Sequence, residues 1–148
     1  MQIQNAYLTH NRPRTIRKQT TAIAVHWVAN PGSSAMANRN YFNSTNAANS
    51  YTVSIETCHP DWTGAFGSKT YASLVELTAQ LCRKYGLHPQ HGGVIRHYDV
   101  TGKVCPKWFV PASKGGSDTA DGAHWQQFLR DVANAMGTGN AAASAPTT

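Results

Sequence analysis

The segment that most constrains the fold is AIAVHWV, residues 22–28, a short run that is apolar almost throughout. A strand with one solvated face alternates apolar and polar residues, whereas this run predicts a strand inside a sheet that is covered on both faces. SYTVSIETC at residues 50–58 is rich in β-branched residues and predicts a second strand. GVIRHYDV at residues 93–100 predicts a third short strand that enters a loop.

Helices are predicted between and after these strands. Residues 69–86 place apolar side chains at helical spacing, with Ser68 as the cap and Gly86 as the end. Residues 35–45 predict a short helix and residues 124–136 a last one. Strands that alternate with helices indicate an α/β domain built on one sheet.

The chain has 148 residues, which is enough for one domain with its own core. We expect this domain to span residues 1–137. Residues 138–148 are small and polar, and they predict a disordered tail or the start of a linker.

The net charge of +6, from 13 basic and 7 acidic residues, favours an anionic partner. The basic residues are scattered, which argues against a nucleic-acid-binding stripe. No apolar run has the length of a membrane span, and the N-terminus lacks the apolar core of a signal peptide. We therefore expect a monomer that binds neither nucleic acid nor membrane, and one that something else must release if it acts outside a cell.

His26, His97 and Cys105 form a candidate metal site. Two neutral imidazoles and a thiolate suit Zn²⁺, and three protein ligands leave the fourth position open for water. The alternative is that each histidine is an ordinary hydrogen-bonded core residue. The spacing alone does not decide, because His26 is 71 positions from His97.

Lys103 lies two residues before Cys105, so in an extended segment the two side chains point the same way. An ammonium group there could stabilise an oxyanion on a metal-bound substrate. The alternative is a solvated lysine beside a buried cysteine. Cys58 and Cys82 are expected to be reduced and packed as small apolar side chains, with a disulfide between them as the alternative. His59 is expected to be a solvated loop residue, with a position near the candidate site as its alternative.

Five segments together carry a family resemblance: TAIAVHW, NPGSSAMANRNYFNS, SIETCHPDWTG, TYASLVELTAQLCRKYGL and IRHYDVTGKVCP. They resemble the zinc-dependent N-acetylmuramoyl-L-alanine amidases of phage endolysins, in the type-2 amidase superfamily that also contains the peptidoglycan recognition proteins. The resemblance runs from about residue 20 to the last helix, and the H-Y-D-V-T-G-K-x-C-P run is its most specific part. It implies a single mixed central β-sheet flanked by helices.

The resemblance also implies the roles of individual residues. His26, His97 and Cys105 would bind zinc, Lys103 would act as the catalytic electrophile, and Glu56 would be the acid/base. The implied activity is hydrolysis of the amide bond between N-acetylmuramic acid and L-alanine in bacterial peptidoglycan, as in a bacteriolytic, antimicrobial phage endolysin. The alternative is a non-catalytic, zinc-containing module that binds peptidoglycan.

The segment from Ser50 to Glu56 departs from the family pattern. In the family a tyrosine strand, a second hairpin strand and a long loop precede the strand that ends in the glutamate. Here Tyr51 runs directly into that last strand, and Ser50 replaces the usual histidine. The shortening leaves open whether the sheet lacks one strand and whether Glu56 faces the metal, since a one-residue slip reverses side-chain facing. Tyr51 is a candidate substrate-binding residue, with a packing role as its alternative.

Overall fold

The computed structural model describes residues 19–31 and 51–143, the last six of these as backbone only. This part of the chain confirms the three predicted strands and the two long predicted helices. The predicted helix at residues 35–45 lies outside the described residues. The elements are β1 (Ala22–Trp27), β2 (Thr52–Thr57), α1 (Ser68–Tyr85), β3 (Val94–Arg96), α2 (His97–Thr101) and α3 (Ala123–Ala143).

The three strands form one sheet in the order β2-β1-β3, and both pairings are parallel. The described part of the sheet is therefore parallel, whereas the resemblance implied a mixed sheet. Parallel neighbouring strands need long crossover connections. Residues 28–51 connect β1 to β2, and the connection from β2 to β3 contains α1. The shortened segment forms a single continuous strand, β2, rather than two.

The core lies between the sheet and helices α1 and α3. Ile23 and Val25 of β1 are fully buried and belong to one cluster with Leu74 of α1 and Phe128 of α3. Ala24, between the two β1 residues in the chain, is also buried, so the central strand is covered on both faces as predicted. Among the described residues, no helix has the length and apolarity needed to cross a bilayer.

The ends of α1 and α2 differ in part from the sequence-based expectations. Gly86 does end α1, in a left-handed conformation with φ of 65°, but Gly67 is the N-cap residue and Ser68 is the first residue of the helix. The chain after β3 forms the short helix α2 instead of a loop, because the Asp99 carboxylate accepts a hydrogen bond from the Arg96 backbone N–H at 2.8 Å.

A buried carboxylate fixes the start of α3. Asp118 is 2% exposed, and it accepts backbone N–H bonds from Thr119 at 2.7 Å, His124 at 2.8 Å and Trp125 at 3.1 Å. These bonds satisfy donors of the first turn, which have no partner within a helix. The backbone of α3 continues to Ala143, beyond residue 137, where we expected the domain to end. The domain boundary itself stays a prediction.

Replacing Asp118 by Ala should lower the free energy of unfolding by at least about 2 kcal/mol, because several buried N–H groups would lose their acceptor. Asp121→Ala is the matched control, since Asp121 is an exposed carboxylate in the same loop. We expect the control to change stability by less than about 0.5 kcal/mol. Urea unfolding followed by circular dichroism measures both, and equal effects would contradict the capping role.

Candidate metal centre

Three residues from the three strands line the same edge of the sheet. Glu56 pairs with His26 in the register of β2 and β1, and His97 follows directly on Arg96, the last residue of β3, which pairs with Val25. Because the strands are parallel, their carboxyl ends meet at one edge, about 4.8 Å apart from strand to strand. Glu56, His26 and His97 therefore form a row across this edge.

The loop after β3 brings Cys105 back to the row. The Tyr98 backbone N–H donates to the Cys105 carbonyl at 2.9 Å, which closes the segment between His97 and Cys105. Arg96 braces the base of this loop: its guanidinium donates to the Asp99 carboxylate at 2.6 Å and 3.0 Å and to the Phe109 carbonyl at 2.7 Å. Cys105 itself is buried, with 3% of its surface exposed.

The structure thus brings His26, His97 and Cys105 together, as the sequence predicted. One ligand atom of each residue lies within 4.8 Å of the other two. His26 Nδ1 is 3.8 Å from Cys105 Sγ, and the two imidazole centroids are 4.8 Å apart. A tetrahedral zinc ion with ordinary bond lengths would separate a nitrogen and a sulfur ligand by about 3.6 Å.

The ring of His26 has a partner at one nitrogen only. Its Nδ1 atom lies within hydrogen-bond distance of Cys105 Sγ, whereas its Nε2 atom is buried and has no hydrogen-bond partner among the described residues. A histidine with a purely structural role normally has both buried nitrogens hydrogen-bonded. The Trp27 backbone N–H donates to Cys105 Sγ, a bond that would also stabilise the thiolate form of this side chain. Two imidazoles and a thiol at this distance fit a zinc ion.

Burial sets the protonation of the three candidate ligands. Desolvation, followed by the charges of His97 and Lys103, lowers the pKa of His26 to about 4. Desolvation and Lys103 also lower the pKa of His97. Both imidazoles are therefore neutral at pH 7, as metal binding requires. Desolvation, reinforced by Glu56, raises the pKa of Cys105 to about 11, so a metal ion must displace the thiol proton.

Glu56 faces the candidate metal site. Its Oε1 atom is 3.7 Å from His26 Nδ1, so the shortened segment does deliver this carboxylate to the cluster. Desolvation raises the pKa of Glu56 to about 7, against the opposing effect of Lys103. A carboxyl group with this pKa can both accept and release a proton near neutral pH.

Lys103 is the exposed cation of the site. Its charge contributes to the pKa of Glu56, His26, His97 and Cys105, which places its side chain within electrostatic reach of the whole cluster.

The structure does not bring Tyr51 to the cluster. Tyr51 precedes β2, and its carbonyl accepts hydrogen bonds from the Thr21 N–H at 2.8 Å and the Thr21 hydroxyl at 3.2 Å. Glu56 lies five positions further along the chain, a distance of about 16 Å along the sheet. The geometry therefore gives no support to substrate binding by Tyr51.

His59 is buried, whereas the sequence predicted a solvated loop residue. It is 3% exposed, its Nδ1 atom donates to the Asp61 carbonyl at 2.7 Å, and its ring packs 4.5 Å from that of Trp27. Sequence reasoning therefore missed a buried histidine beside the site. The adjacent Pro60 and the surrounding polar residues indicated a solvated loop, and only the contact with Trp27 shows the burial.

The structural comparison shows the same fold in an amidase domain. The solved structure described as the catalytic domain of XlyA superposes with a TM-score of 0.54, at 17% sequence identity. The alignment covers 81% of this chain and 94% of that domain. At this identity the likeness concerns the fold alone.

The sequence comparisons define the family. The family model of N-acetylmuramoyl-L-alanine amidase, Amidase_2, matches residues 4–108, more than two thirds of the chain. The chain therefore belongs to the type-2 N-acetylmuramoyl-L-alanine amidase family, as the sequence motifs predicted.

Individual relatives are similar over part of their length. The amidase CwlL of Bacillus licheniformis is 28% identical over 149 aligned positions, which cover 70% of this chain and 41% of CwlL. A probable N-acetylmuramoyl-L-alanine amidase of the same organism is 28% identical over 68% of this chain and 40% of its own length. The amidase BlyA of Bacillus subtilis (strain 168) is 36% identical over 67 residues, 45% of this chain and 18% of BlyA. The chain thus spans about two fifths of the length of the first two relatives.

Replacing Cys105 by Ser should weaken zinc binding by more than about 100-fold, since loss of an outer partner of a ligand already costs about 10- to 100-fold. Cobalt substitution should show thiolate-to-metal absorption in the parent chain and none in Cys105→Ser. Cys58→Ser is the control, because Cys58 is a half-buried cysteine outside the cluster. Competition with a chromophoric chelator measures the affinity, and unchanged binding in Cys105→Ser would remove Cys105 from the ligand set.

Proposed function

We propose that this chain is a zinc-dependent amidase that hydrolyses the bond between N-acetylmuramic acid and L-alanine in bacterial peptidoglycan. Family membership supports the substrate class. The observation that carries the proposal is the row of Glu56, His26 and His97 at one sheet edge, with the Cys105 ligand atom within 4.8 Å of those of both histidines.

His26, His97 and Cys105 would hold the zinc ion. Zinc bound there would supply a Lewis acid that polarises the amide carbonyl and makes water more acidic. The three ligands are buried or half-buried and their donor atoms lie within 4.8 Å of one another, so only small side-chain movements would bring them to the bond lengths of a zinc ion.

In this proposal Glu56 moves the protons of the reaction. Hydrolysis requires a base that takes a proton from the attacking water and an acid that gives one to the leaving amine of L-alanine. One carboxyl group 3.7 Å from a ligand nitrogen can do both in turn. The products are then the lactyl carboxylate of the sugar and the free amine of the peptide.

In this proposal Lys103 stabilises the negative charge that develops on the carbonyl oxygen. Its ammonium group is a positively charged hydrogen-bond donor, and it lies on the loop that also carries Cys105. A donor aimed at a developing oxyanion is worth more in the transition state than in the bound substrate.

Replacing Glu56 by Gln should lower kcat by about 10²- to 10⁴-fold, because the amide side chain cannot accept the proton. Zinc content should stay at that of the parent chain. Glu76→Gln is the matched control, since Glu76 is the only other glutamate and is exposed on α1. Release of free amine from peptidoglycan is the measurement, and full turnover by Glu56→Gln would contradict the acid/base role.

Replacing Lys103 by Ala should lower kcat by about 10²- to 10³-fold with little change in zinc affinity, as expected for loss of an oxyanion donor. Lys114→Ala removes an exposed positive charge outside the cluster and controls for the general attraction to an anionic wall. If both variants lose the same amount of activity, Lys103 acts through net charge alone and not through the oxyanion.

A chelator tests the proposal against its alternative, a non-catalytic peptidoglycan-binding module. We expect wall suspensions to clear with the parent chain, to stop clearing in the presence of a strong zinc chelator and to clear again when zinc is returned. Sedimentation of the protein with walls but no release of amine at any zinc concentration would favour the module. Action as an endolysin after release from the host cytoplasm is part of the same proposal, and monomeric state stays a prediction.

A further inference from the structure

The side chain of Arg96 lies on the opposite face of the sheet from the candidate metal ligands. Arg96 pairs with Val25 in the register of β3 and β1, and Val25 is fully buried in the core. Side chains of paired residues lie on the same face of a sheet, and those of successive residues lie on opposite faces. The next residue, His97, meets the His26 ring with centroids 4.8 Å apart. Any effect of Arg96 on the site therefore passes through the chain that carries the ligands.

The guanidinium group of Arg96 is bonded to the chain on both sides of Cys105. Before Cys105, its Nε and Nη2 atoms donate to the two carboxylate oxygens of Asp99 at 3.0 Å and 2.6 Å. After Cys105, its Nη1 atom donates to the carbonyl of Phe109 at 2.7 Å. The ligand loop, residues 97–105, begins and ends at a candidate ligand. One planar group therefore ties this loop to the segment that follows it.

Two aromatic rings anchor the guanidinium group to the core. Its central carbon lies 5.1 Å from the ring centroids of both Tyr98 and Trp125, within the range of cation–π attraction. Trp125 is 7% exposed and belongs to the core cluster. The Arg96 side chain is itself only 14% exposed. The ligand loop is thereby oriented against the core of the domain.

A lysine at position 96 would keep the charge but not this geometry. The two parallel bonds to Asp99 need the planar fork of a guanidinium group, whereas an ammonium group is a point donor on a flexible stem. The Asp99 Oδ2 atom also accepts the Arg96 backbone N–H at 2.8 Å. Loss of the fork therefore loosens the first turn of α2, which begins at His97.

We infer that Arg96 is a positioning residue of the metal centre, which sets the separation of His97 and Cys105 and thereby the affinity of the site for zinc. These two ligands are eight positions apart in the chain. An unconstrained loop of this length would sample many separations, and metal binding would cost the entropy of ordering it. A loop held in place before the ion arrives avoids that cost. The inference rests on the metal site of the proposed function but not on hydrolysis.

The first test measures metal affinity in the full chain. In Arg96→Lys and in Asp99→Asn we expect the dissociation constant for cobalt to rise about 10- to 100-fold in competition with a chromophoric chelator. The thiolate-to-cobalt absorption should still reach the parent intensity at saturation, because all three ligands remain. Arg83→Lys is the matched control, since Arg83 donates to a backbone carbonyl, that of Ala135, at 3.3 Å. Parent affinity in Arg96→Lys would overturn the inference.

A second test uses the metal-free chain and separates local from global effects. The Tyr98 amide proton is bonded to the Cys105 carbonyl at 2.9 Å, so its hydrogen exchange reports opening of the ligand loop. In Arg96→Lys this exchange should be at least about 10-fold faster, while the buried Phe128 of α3 keeps the parent exchange rate. Equal acceleration at both amides would show that Arg96 stabilises only the fold as a whole, and would overturn the inference.

The two tests distinguish failure of the inference from failure of the proposed function. If the parent chain binds neither zinc nor cobalt, the proposed function is rejected, and the exchange test still decides whether Arg96 positions the loop. If the parent chain binds cobalt and Arg96→Lys binds it equally well, the inference is rejected and the proposed function stands.

Discussion

The site depends on the parallel register of β1 with its two neighbours. That register aligns Glu56 with His26 and carries His97 to the same edge, so three distant parts of the chain present reactive side chains side by side. A shift of one residue in either pairing would turn a whole set of side chains to the opposite face. The loop that returns Cys105 can complete the cluster only because this edge is already formed.

The same burial that stabilises the fold prepares the donors for a metal. Desolvation keeps both imidazoles neutral, and it keeps the Cys105 thiol protonated until a cation compensates the thiolate charge. It also raises the pKa of Glu56 to about 7. Lys103 stays exposed and supplies the positive charge that faces solvent. One environment thus assigns different protonation states to neighbouring groups.

Much of the fold and most of the candidate site could be predicted from the sequence. Apolar periodicity located the strands and α1, and the specific run from His97 to Cys105 indicated the ligand set. Prediction failed where a tertiary contact overrides local composition. His59 lies in a polar loop and yet packs against Trp27, and α2 forms because Asp99 bonds back to the Arg96 backbone. Neither partner is apparent from the local sequence.

The position of Glu56 shows why the shortened segment is tolerated. Val53 and Ile55 pack against the core on the face that Ile23 and Val25 also occupy. Because side chains alternate along a strand, burial of those two residues forces Glu56 to the opposite face, where His26 lies. The facing of the carboxylate is therefore set by the apolar residues within β2 itself. A chain that keeps this pattern of apolar residues within β2 can thus present Glu56 to the candidate metal site.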